Sequence, residues 1–250
     1  MTTTTLLPPF TAPERLAGDL RSRGHAVLSP AGLGALAGVT PDALDALRPS
    51  WNELPPDAYL RDGGRYRRRR HSCFVVEGTL VERVPHRAHW QPVEYNALHG
   101  GLERWFEPMD AAIVAQPAWP ALLSATAAAC SDAKGARPWY VEAHQFRIDT
   151  TDGIGRPTPE GAHRDGVDFV VVGLVDRAGV KGGETRVFDA DGPSGIRFTM
   201  TAPWTTLMLD DERVIHETTP IQPADASVPG GHRDTLVLTF RAGGFQGPPT

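Results

Sequence analysis

Two histidine–aspartate pairs are the first residues in the sequence whose types and spacing could do chemistry. His163 and Asp165 are separated by one residue, and so are His232 and Asp234. On an extended strand, residues two apart project to the same side, so each pair could hold one metal ion. Either pair alone is a weak signal, because this spacing also arises by chance in a chain of 250 residues.

His216 distinguishes the first pair from the second. It lies 53 residues after His163, a gap that accommodates several antiparallel strands and lets the histidine return beside the pair. Two histidines and one carboxylate on one face of an octahedron leave three sites open, as in non-haem Fe(II) oxygenases. We therefore predict a metal centre at His163, Asp165 and His216. Asp168 is the poorer carboxylate candidate, because it falls on the opposite face of a regular strand from Asp165.

The second pair is better interpreted through the arginine between its two members. Arg233 stands at the head of a predicted strand that runs to Phe240. A guanidinium at this place can clamp a carboxylate through two parallel hydrogen bonds. We therefore predict an anion-binding role for Arg233, with His232 and Asp234 as incidental neighbours.

From about residue 61 to residue 240, the chain resembles the 2-oxoglutarate/Fe(II) dioxygenases that include bacterial L-isoleucine hydroxylases. Four segments in the same order carry the resemblance: TPEGAHRDGVDF (158–169), GGET (182–185), LDDERVIH (209–216) and RDTLVLTF (233–240). It implies a mainly β protein with a double-stranded β-helix (jelly-roll, cupin-like) core and flanking helices. It also implies Fe(II) on His163, Asp165 and His216, and Arg233 on the distal carboxylate of 2-oxoglutarate.

The activity implied by the resemblance is the hydroxylation of an unactivated C–H bond by O2. Succinate and CO2 are released from 2-oxoglutarate, and known members often act on a free aliphatic amino acid. Desaturation or cyclisation would use the same metal triad. Two other classes remain open. One is a cupin-like metalloenzyme without 2-oxoglutarate, an isomerase or a hydrolase, and the other is a non-catalytic jelly-roll binding protein.

Further candidates for holding the cosubstrate lie on the strand predicted before the metal motif. Gln145 and Arg147 share one face of that strand, and we expect this face to point into the barrel. The opposite orientation of the strand would bring His144 inward instead.

The substrate-binding candidates come from an arginine-rich segment and from the metal motif. Residues 61–70 contain six arginines, and we select Arg68 and Arg70 to meet a substrate carboxylate. Glu160 is the expected acceptor for a substrate ammonium group. His86 and His89 lack an HExxH motif and a cysteine partner, so we expect ordinary surface histidines there.

The elements that must position these residues divide the chain into two parts. Thr11 with Glu14 has the form of a capping box, and Gly24 is placed to end the helix that follows. Helices are also predicted from Thr40 and over 109–134, the latter broken near its prolines. Downstream, five β-rich segments are separated by Gly, Pro and Asp clusters (139–149, 167–175, 185–188, 206–209 and 235–240).

We therefore expect one domain over 1–250. It comprises a flexible tail (1–10), a helix-rich part (11–135) and the jelly-roll core (136–243). A net charge of −5 argues against a nucleic-acid partner, and no apolar stretch is long enough for a membrane span. Two cysteines provide no disulfide framework, and the first residues do not form a signal peptide. A cytoplasmic enzyme with a small-molecule substrate is expected, with a homodimer as one possible assembly.

Overall fold

The main sheet is the element that organises the molecule. In the computed structural model, which describes residues 6–225, 227 and 230–248, it contains seven strands in the order β1-β9-β5-β12-β4-β2-β3, and every neighbouring pair is antiparallel. Its strands are β1 (His25–Leu28), β2 (Arg67–Glu77), β3 (Leu80–Arg83), β4 (Trp139–Asp149), β5 (Phe169–Ala178), β9 (Thr206–Asp210) and β12 (His232–Arg241).

A smaller sheet lies opposite one face of the main sheet. It has the order β10-β7-β8 and consists of β7 (Thr185–Asp189), β8 (Gly195–Phe198) and β10 (Val214–Thr218). β6 (Val180–Gly182) and β11 (Ile221–Pro223) form a two-stranded ribbon beside it. Val170 and Leu174 of the main sheet share one buried cluster with Val187 and Phe198 of the smaller sheet. The two sheets therefore enclose the core of a jelly roll.

The helices cover the other face of the main sheet. They are α1 (Leu16–Arg23), α2 (Pro30–Ala37), α3 (Pro41–Asp45), α4 (Ala111–Val114) and α5 (Ala118–Lys134), with 3-10 turns at Pro13–Arg15 and Arg48–Glu53. Leu236, Leu238 and Phe240 of β12 belong to one core cluster with Trp119 and Leu123 of α5. The alternate residues of β12 therefore point away from the helices, toward the smaller sheet. No helix within the described ranges is long and apolar enough to cross a membrane.

The helix ends follow the predicted signals with one exception. Gly24 ends α1 in the left-handed conformation with φ of 72°, and the Thr40 side chain caps α3. Thr11 does not cap a helix, because its hydroxyl donates to Asp19 and a 3-10 turn precedes α1. The long helical region is broken next to Pro117, as predicted, whereas Pro120 does not break it and lies in the first turn of α5.

The N-terminal half contributes more strand than the sequence predicted. β1, β2 and β3 all lie before residue 136, and β2 pairs along ten residues of β4. The sheet therefore crosses the boundary that we expected between a helix-rich part and the jelly-roll core. Of the predicted flexible tail, residues 1–5 lie outside the described residues, while the Leu6 carbonyl accepts a hydrogen bond from the Thr199 amide.

Candidate active site

His163, Asp165 and His216 are brought together at one end of the cavity between the two sheets. His216 lies on β10, and His163 pairs with it through two backbone hydrogen bonds of 3.0 Å. His163 Nε2 is 3.8 Å from Oδ1 of Asp165, and His216 Nε2 is 3.8 Å from Oδ2 of the same carboxylate. The three side chains therefore present their donor atoms to a common point, within 4.8 Å of one another.

Hydrogen bonds fix the positions of two of these residues. His163 Nδ1 donates to the Gly161 carbonyl at 2.9 Å, which leaves Nε2 free to act as a ligand. The Asp211 carboxylate accepts from the backbone amides of Asp165, Gly166 and Val167. Gly166 has φ of 74°, and a Cβ there would lie 2.5 Å from the Tyr95 ring, so the turn after Asp165 requires glycine.

Gln91 holds the Asp165 side chain from outside the sheets. Its amide nitrogen donates to Oδ1 of Asp165 at 3.0 Å. Its oxygen accepts from Arg104 Nη2 at 2.8 Å and from Asn96 Nδ2 at 3.1 Å, which fixes the orientation of the amide. Gln91 belongs to residues 84–110, here called the 84–110 segment, which contains no strand or helix and has one isolated bridge between His89 and Arg104.

Arg233 lies in the same cavity as the triad, on the inner face of β12. It is 3% exposed, and its Nε and Nη2 are buried without a hydrogen-bond partner among the described residues. Burial, with a contribution from Arg177, lowers the pKa of Arg233 to about 10, so the guanidinium remains charged at neutral pH. Val172 and Val237 also line this cavity. A carboxylate would satisfy both unpaired donors.

Gln145 and Arg147 do not reach this cavity, which corrects the expectation for their face of β4. Gln145 donates to the Ser50 hydroxyl at 2.7 Å, and Arg147 forms two hydrogen bonds with Asp234 on the outer face of β12. Because side chains alternate along a strand, His144 lines the cavity instead.

Arg68 and Arg70 also point away from the cavity. Arg68 lies 3.7 Å from Asp149, and Arg70 binds the Pro108 carbonyl and Glu107. The alternate residues of β2, Arg67 and Arg69, are buried and line the cavity. The predicted segment therefore does reach the site, but through the opposite face of the strand.

Three charged residues that line the cavity have buried side-chain atoms without a hydrogen-bond partner within the described part of the chain. Arg67 donates to Asp57 at 2.7 Å through Nε, but its Nη2 has no partner. Arg104 is 2% exposed, and its Nε is unpaired. Glu160 lies 3.6 Å from His163 Nε2, and its Oε2 is buried without a partner. Two arginines and one glutamate that each have an unpaired atom therefore line one cavity.

A buried histidine cluster beside the cavity was missed in the sequence. Glu142 accepts hydrogen bonds from His71 Nε2 at 3.0 Å and from His89 Nδ1 at 2.5 Å. His144 stacks on His71 with ring centroids 4.6 Å apart. His89 is 7% exposed, so our expectation of a surface histidine is wrong at this position, whereas His86 is exposed. The alternating polar residues 142 and 144 of β4 were the available signal.

His232 and Asp234 lie on the outer face of the main sheet, away from the triad. Together with Asp176 they place possible ligand atoms within 4.8 Å of one another. Arg147 pairs with Asp234 at 2.7 Å, and Arg48 pairs with Asp176 at 2.9 Å. Cationic side chains therefore already compensate both carboxylates, which disfavours a metal ion there.

The comparisons with known proteins agree with this geometry. The family described as 2OG-Fe dioxygenase matches residues 48–239. A crystal structure of a bsmA homolog from Methylobium petroleophilum PM1 is 55% identical, with a TM-score of 0.90 over 97% of this chain and 98% of that chain. No curated protein matches the chain.

Two more distant structures share the fold. IDO from Bacillus thuringiensis is 16% identical, with a TM-score of 0.74 over 97% of this chain and 100% of that chain. TqaL, an Fe(II)/(alpha)ketoglutarate-dependent dioxygenase, is 20% identical, with a TM-score of 0.70 over 92% of this chain and 86% of that chain. The family uses Fe(II), 2-oxoglutarate and O2. The extent of the family match shows that this chain belongs to the 2OG-Fe dioxygenases.

Proposed function

We propose that this protein hydroxylates an unactivated C–H bond of a free amino acid, with Fe(II) held by His163, Asp165 and His216. The observation that carries the proposal is the pairing of this triad with the buried, unpaired Arg233 in one cavity. A cupin-like isomerase or hydrolase without 2-oxoglutarate would give that guanidinium nothing to bind.

The residues present suit the metal. Two neutral imidazole nitrogens and one carboxylate form the ligand set of non-haem Fe(II) oxygenases. Burial lowers the pKa of His216 to about 4, so its imidazole is neutral at physiological pH and available as a ligand. His163 Nδ1 donates a hydrogen bond to the Gly161 carbonyl, and metal-binding histidines usually donate their second ring nitrogen in this way.

The residues also suit 2-oxoglutarate. An unpaired buried guanidinium is costly, and a carboxylate that accepts from Nε and Nη2 of Arg233 removes that cost. Val172 and Val237 offer an apolar wall for the methylene groups between the two carboxylates. When bound, iron would supply the oxidation, in which one oxygen atom of O2 enters the succinate formed from 2-oxoglutarate with loss of CO2, and the other becomes the hydroxyl group of the substrate.

Recognition of both charged ends of an amino acid follows from the remaining unpaired groups. Arg67 and Arg104 are the proposed partners of the α-carboxylate, in place of Arg68 and Arg70. Glu160 is the proposed partner of the α-ammonium, through its unpaired Oε2. A zwitterion brings one charge of each sign, so it compensates both ends without adding net charge to a buried cavity.

The test is turnover of free amino acids with Fe(II) and 2-oxoglutarate, followed through succinate and a product heavier by one oxygen atom. Amidation of the carboxylate or acetylation of the amine of the best substrate should lower kcat/KM by about 100-fold or more, because each leaves a buried charge unpaired. Equal turnover of the free and blocked forms would contradict recognition of the substrate through its charged carboxylate and ammonium groups. A rate of succinate formation that is unchanged in Arg233→Leu would exclude Arg233 as the residue that binds 2-oxoglutarate.

A further inference from the structure

His89 lines the cavity and has one ring nitrogen without a hydrogen-bond partner among the described residues. Its Nδ1 is 2.5 Å from Oε2 of Glu142, whereas its Nε2 has no partner among the residues that the structure describes. His89 lines the same cavity as Glu160 and the metal triad. Its backbone pairs with Arg104, so it stands directly across the 84–110 segment from one of the proposed carboxylate-binding arginines.

The Glu142 carboxylate determines which nitrogen of His89 carries the proton. Although burial favours the neutral acid, the two neighbouring histidines hold the pKa of Glu142 well below its usual range. An ionised carboxylate only accepts, so His89 Nδ1 must donate to it. Burial lowers the pKa of His89 to about 4, so its ring is neutral and Nε2 carries a lone pair. The free nitrogen is therefore an acceptor.

Most of the polar groups near His89 on the 84–110 segment already have hydrogen-bond partners, and the exception is a donor, Arg104 Nε. Gln91 binds Asp165, Arg104 and Asn96, and the Asn96 side-chain oxygen accepts from the His99 amide. His99 Nε2 accepts from the Arg61 amide. The His89 acceptor thus stands out from its neighbours, because its supporting partner Glu142 is fixed while its own Nε2 has no hydrogen bond.

We propose that His89, oriented by Glu142, accepts a hydrogen bond from the substrate's side chain and selects amino acids whose side chains carry a hydroxyl, amide or amine donor. This inference rests on the proposed function and names the substrate class within it. An aliphatic side chain at this place would leave a buried acceptor unpaired. Sites built to hydrogen-bond a substrate group reject analogues that lack it far more strongly than apolar pockets reject a change in size.

A metal ion in the histidine cluster is the competing interpretation. The cluster of His71, His89, Glu142 and His144 brings four possible ligand atoms within 4.8 Å of one another. However, His144 Nδ1 is 2.8 Å from Arg69 Nη2, a donor, so it is the acceptor and Nε2 keeps the proton. A metal-binding histidine needs the reverse arrangement. The geometry therefore favours a hydrogen-bonded network.

The first experiment compares kcat/KM for pairs of amino acids of similar shape in the wild-type protein: threonine with valine, asparagine with leucine, and lysine with norleucine. We expect the best substrate of the panel to carry a side-chain donor and to exceed its apolar partner by at least about tenfold. A best substrate that is aliphatic would overturn the inference while leaving the proposed function intact. Failure to turn over any amino acid would overturn both.

The second experiment asks whether His89 is the origin of the preference. His89→Leu should reduce the ratio within the best pair to less than about threefold, and His89→Gln, which retains an acceptor, should restore part of it. His86→Leu is the matched control, because His86 is exposed and lies three residues away. A ratio that survives His89→Leu would contradict the assignment. A second equivalent of bound metal that remains in His163→Ala but is lost in Glu142→Gln would also contradict it, because the histidine cluster would then hold a metal ion. If His89→Leu does not fold, the comparison of amino acid pairs in the wild-type protein tests the inferred preference for a side-chain donor.

Discussion

The Gln91 side chain donates a hydrogen bond of 3.0 Å to Oδ1 of Asp165, and its own oxygen accepts from Arg104 and Asn96. The carboxylate of the proposed metal triad is thus oriented by a residue of the 84–110 segment rather than by a strand. Metal affinity and the conformation of that segment are therefore linked through one amide.

Replacement of Gln91 by Met should weaken iron binding. The substitution keeps a similar volume but removes the donor to Asp165, and loss of such partners typically costs 10- to 100-fold in metal affinity or activity. Equilibrium dialysis against Fe(II) would measure this change. Gln222→Met, at an exposed position on β11, is the control. Equal iron affinity in both variants would show that the hydrogen bond does not support the metal site.

Alanine at His163, Asp165 or His216 should abolish iron retention and succinate formation, whereas His232→Ala should retain both. The first three present their donor atoms to one point inside the cavity, while His232 lies on the outer face of the main sheet beside Asp176. Metal analysis of the purified variants gives the result independently of turnover. Iron that persists in His163→Ala and disappears in His232→Ala would reverse the choice between the two pairs.

Arg233→Lys should raise the KM for 2-oxoglutarate by about tenfold or more. Lysine keeps the charge but loses the planar fork that can meet both carboxylate oxygens, and tenfold corresponds to about 1.4 kcal/mol. Iron retention should not change. Arg197→Lys, at an exposed position on β8, is the control. An unchanged KM in Arg233→Lys would mean that another cation binds the distal carboxylate.

Two adjacent arginines on β2 provide a matched pair for substrate binding. Arg67→Lys should raise the KM for the amino acid by about tenfold, because this cavity-lining residue loses its unpaired Nη2. Arg68→Lys should change it by less than twofold, since Arg68 points to the opposite face. The KM for 2-oxoglutarate should be unaffected in both variants. Equal effects of the two substitutions on amino acid KM would contradict the assignment.

Acidification should destabilise the protein through the buried histidine cluster. The pKa of His89 is about 4 in the folded protein and near 6.5 when exposed, so below pH 6.5 the unfolded chain binds more protons. The stability contributed by keeping His89 neutral is fully present above pH 6.5. It is lost as the pH falls toward 4, and roughly 2 kcal/mol disappears between pH 7 and 4.5.

Urea unfolding at a series of pH values would measure this loss. His89→Asn should flatten the dependence of the unfolding free energy on pH, while His86→Asn should not, because His86 is exposed. A pH dependence that is the same in wild type and in His89→Asn would show that His89 is not the responsible group.

The jelly roll and the convergence of His163, Asp165 and His216 could be predicted because their sequence signals are local and ordered. The span of β4 matched its β-rich segment, and the structure brings the three predicted side chains together, while their role as iron ligands stays a prediction. Strand β2 was missed, because four consecutive arginines do not look like a strand interior. They are accommodated there only because Arg67 and Arg69 face the cavity, with Asp57 beside them.

The orientation of a strand with polar residues on both faces was the main source of error. In β4, Gln145 and Arg147 alternate with Glu142, His144 and Phe146, and neither set is purely apolar. Periodicity shows that two faces exist, but it does not show which face is inward when both are polar. The pairing of β2 with β4 places Arg67, Arg69 and His71 beside the second set, a long-range contact that no local pattern encodes.

The irregular 84–110 segment carries part of the proposed substrate site outside the regular strands. The proposed iron ligands lie on or next to strands of the jelly roll, whereas His89, Gln91 and Arg104 lie on the segment. Mutations in such a loop can alter which molecule is accepted without disturbing the sheet, so new specificities can arise by drift and selection along a short stretch of chain. A directed-evolution library confined to residues 84–110, with Gln91 held constant, is therefore the most economical route to altered specificity in this protein.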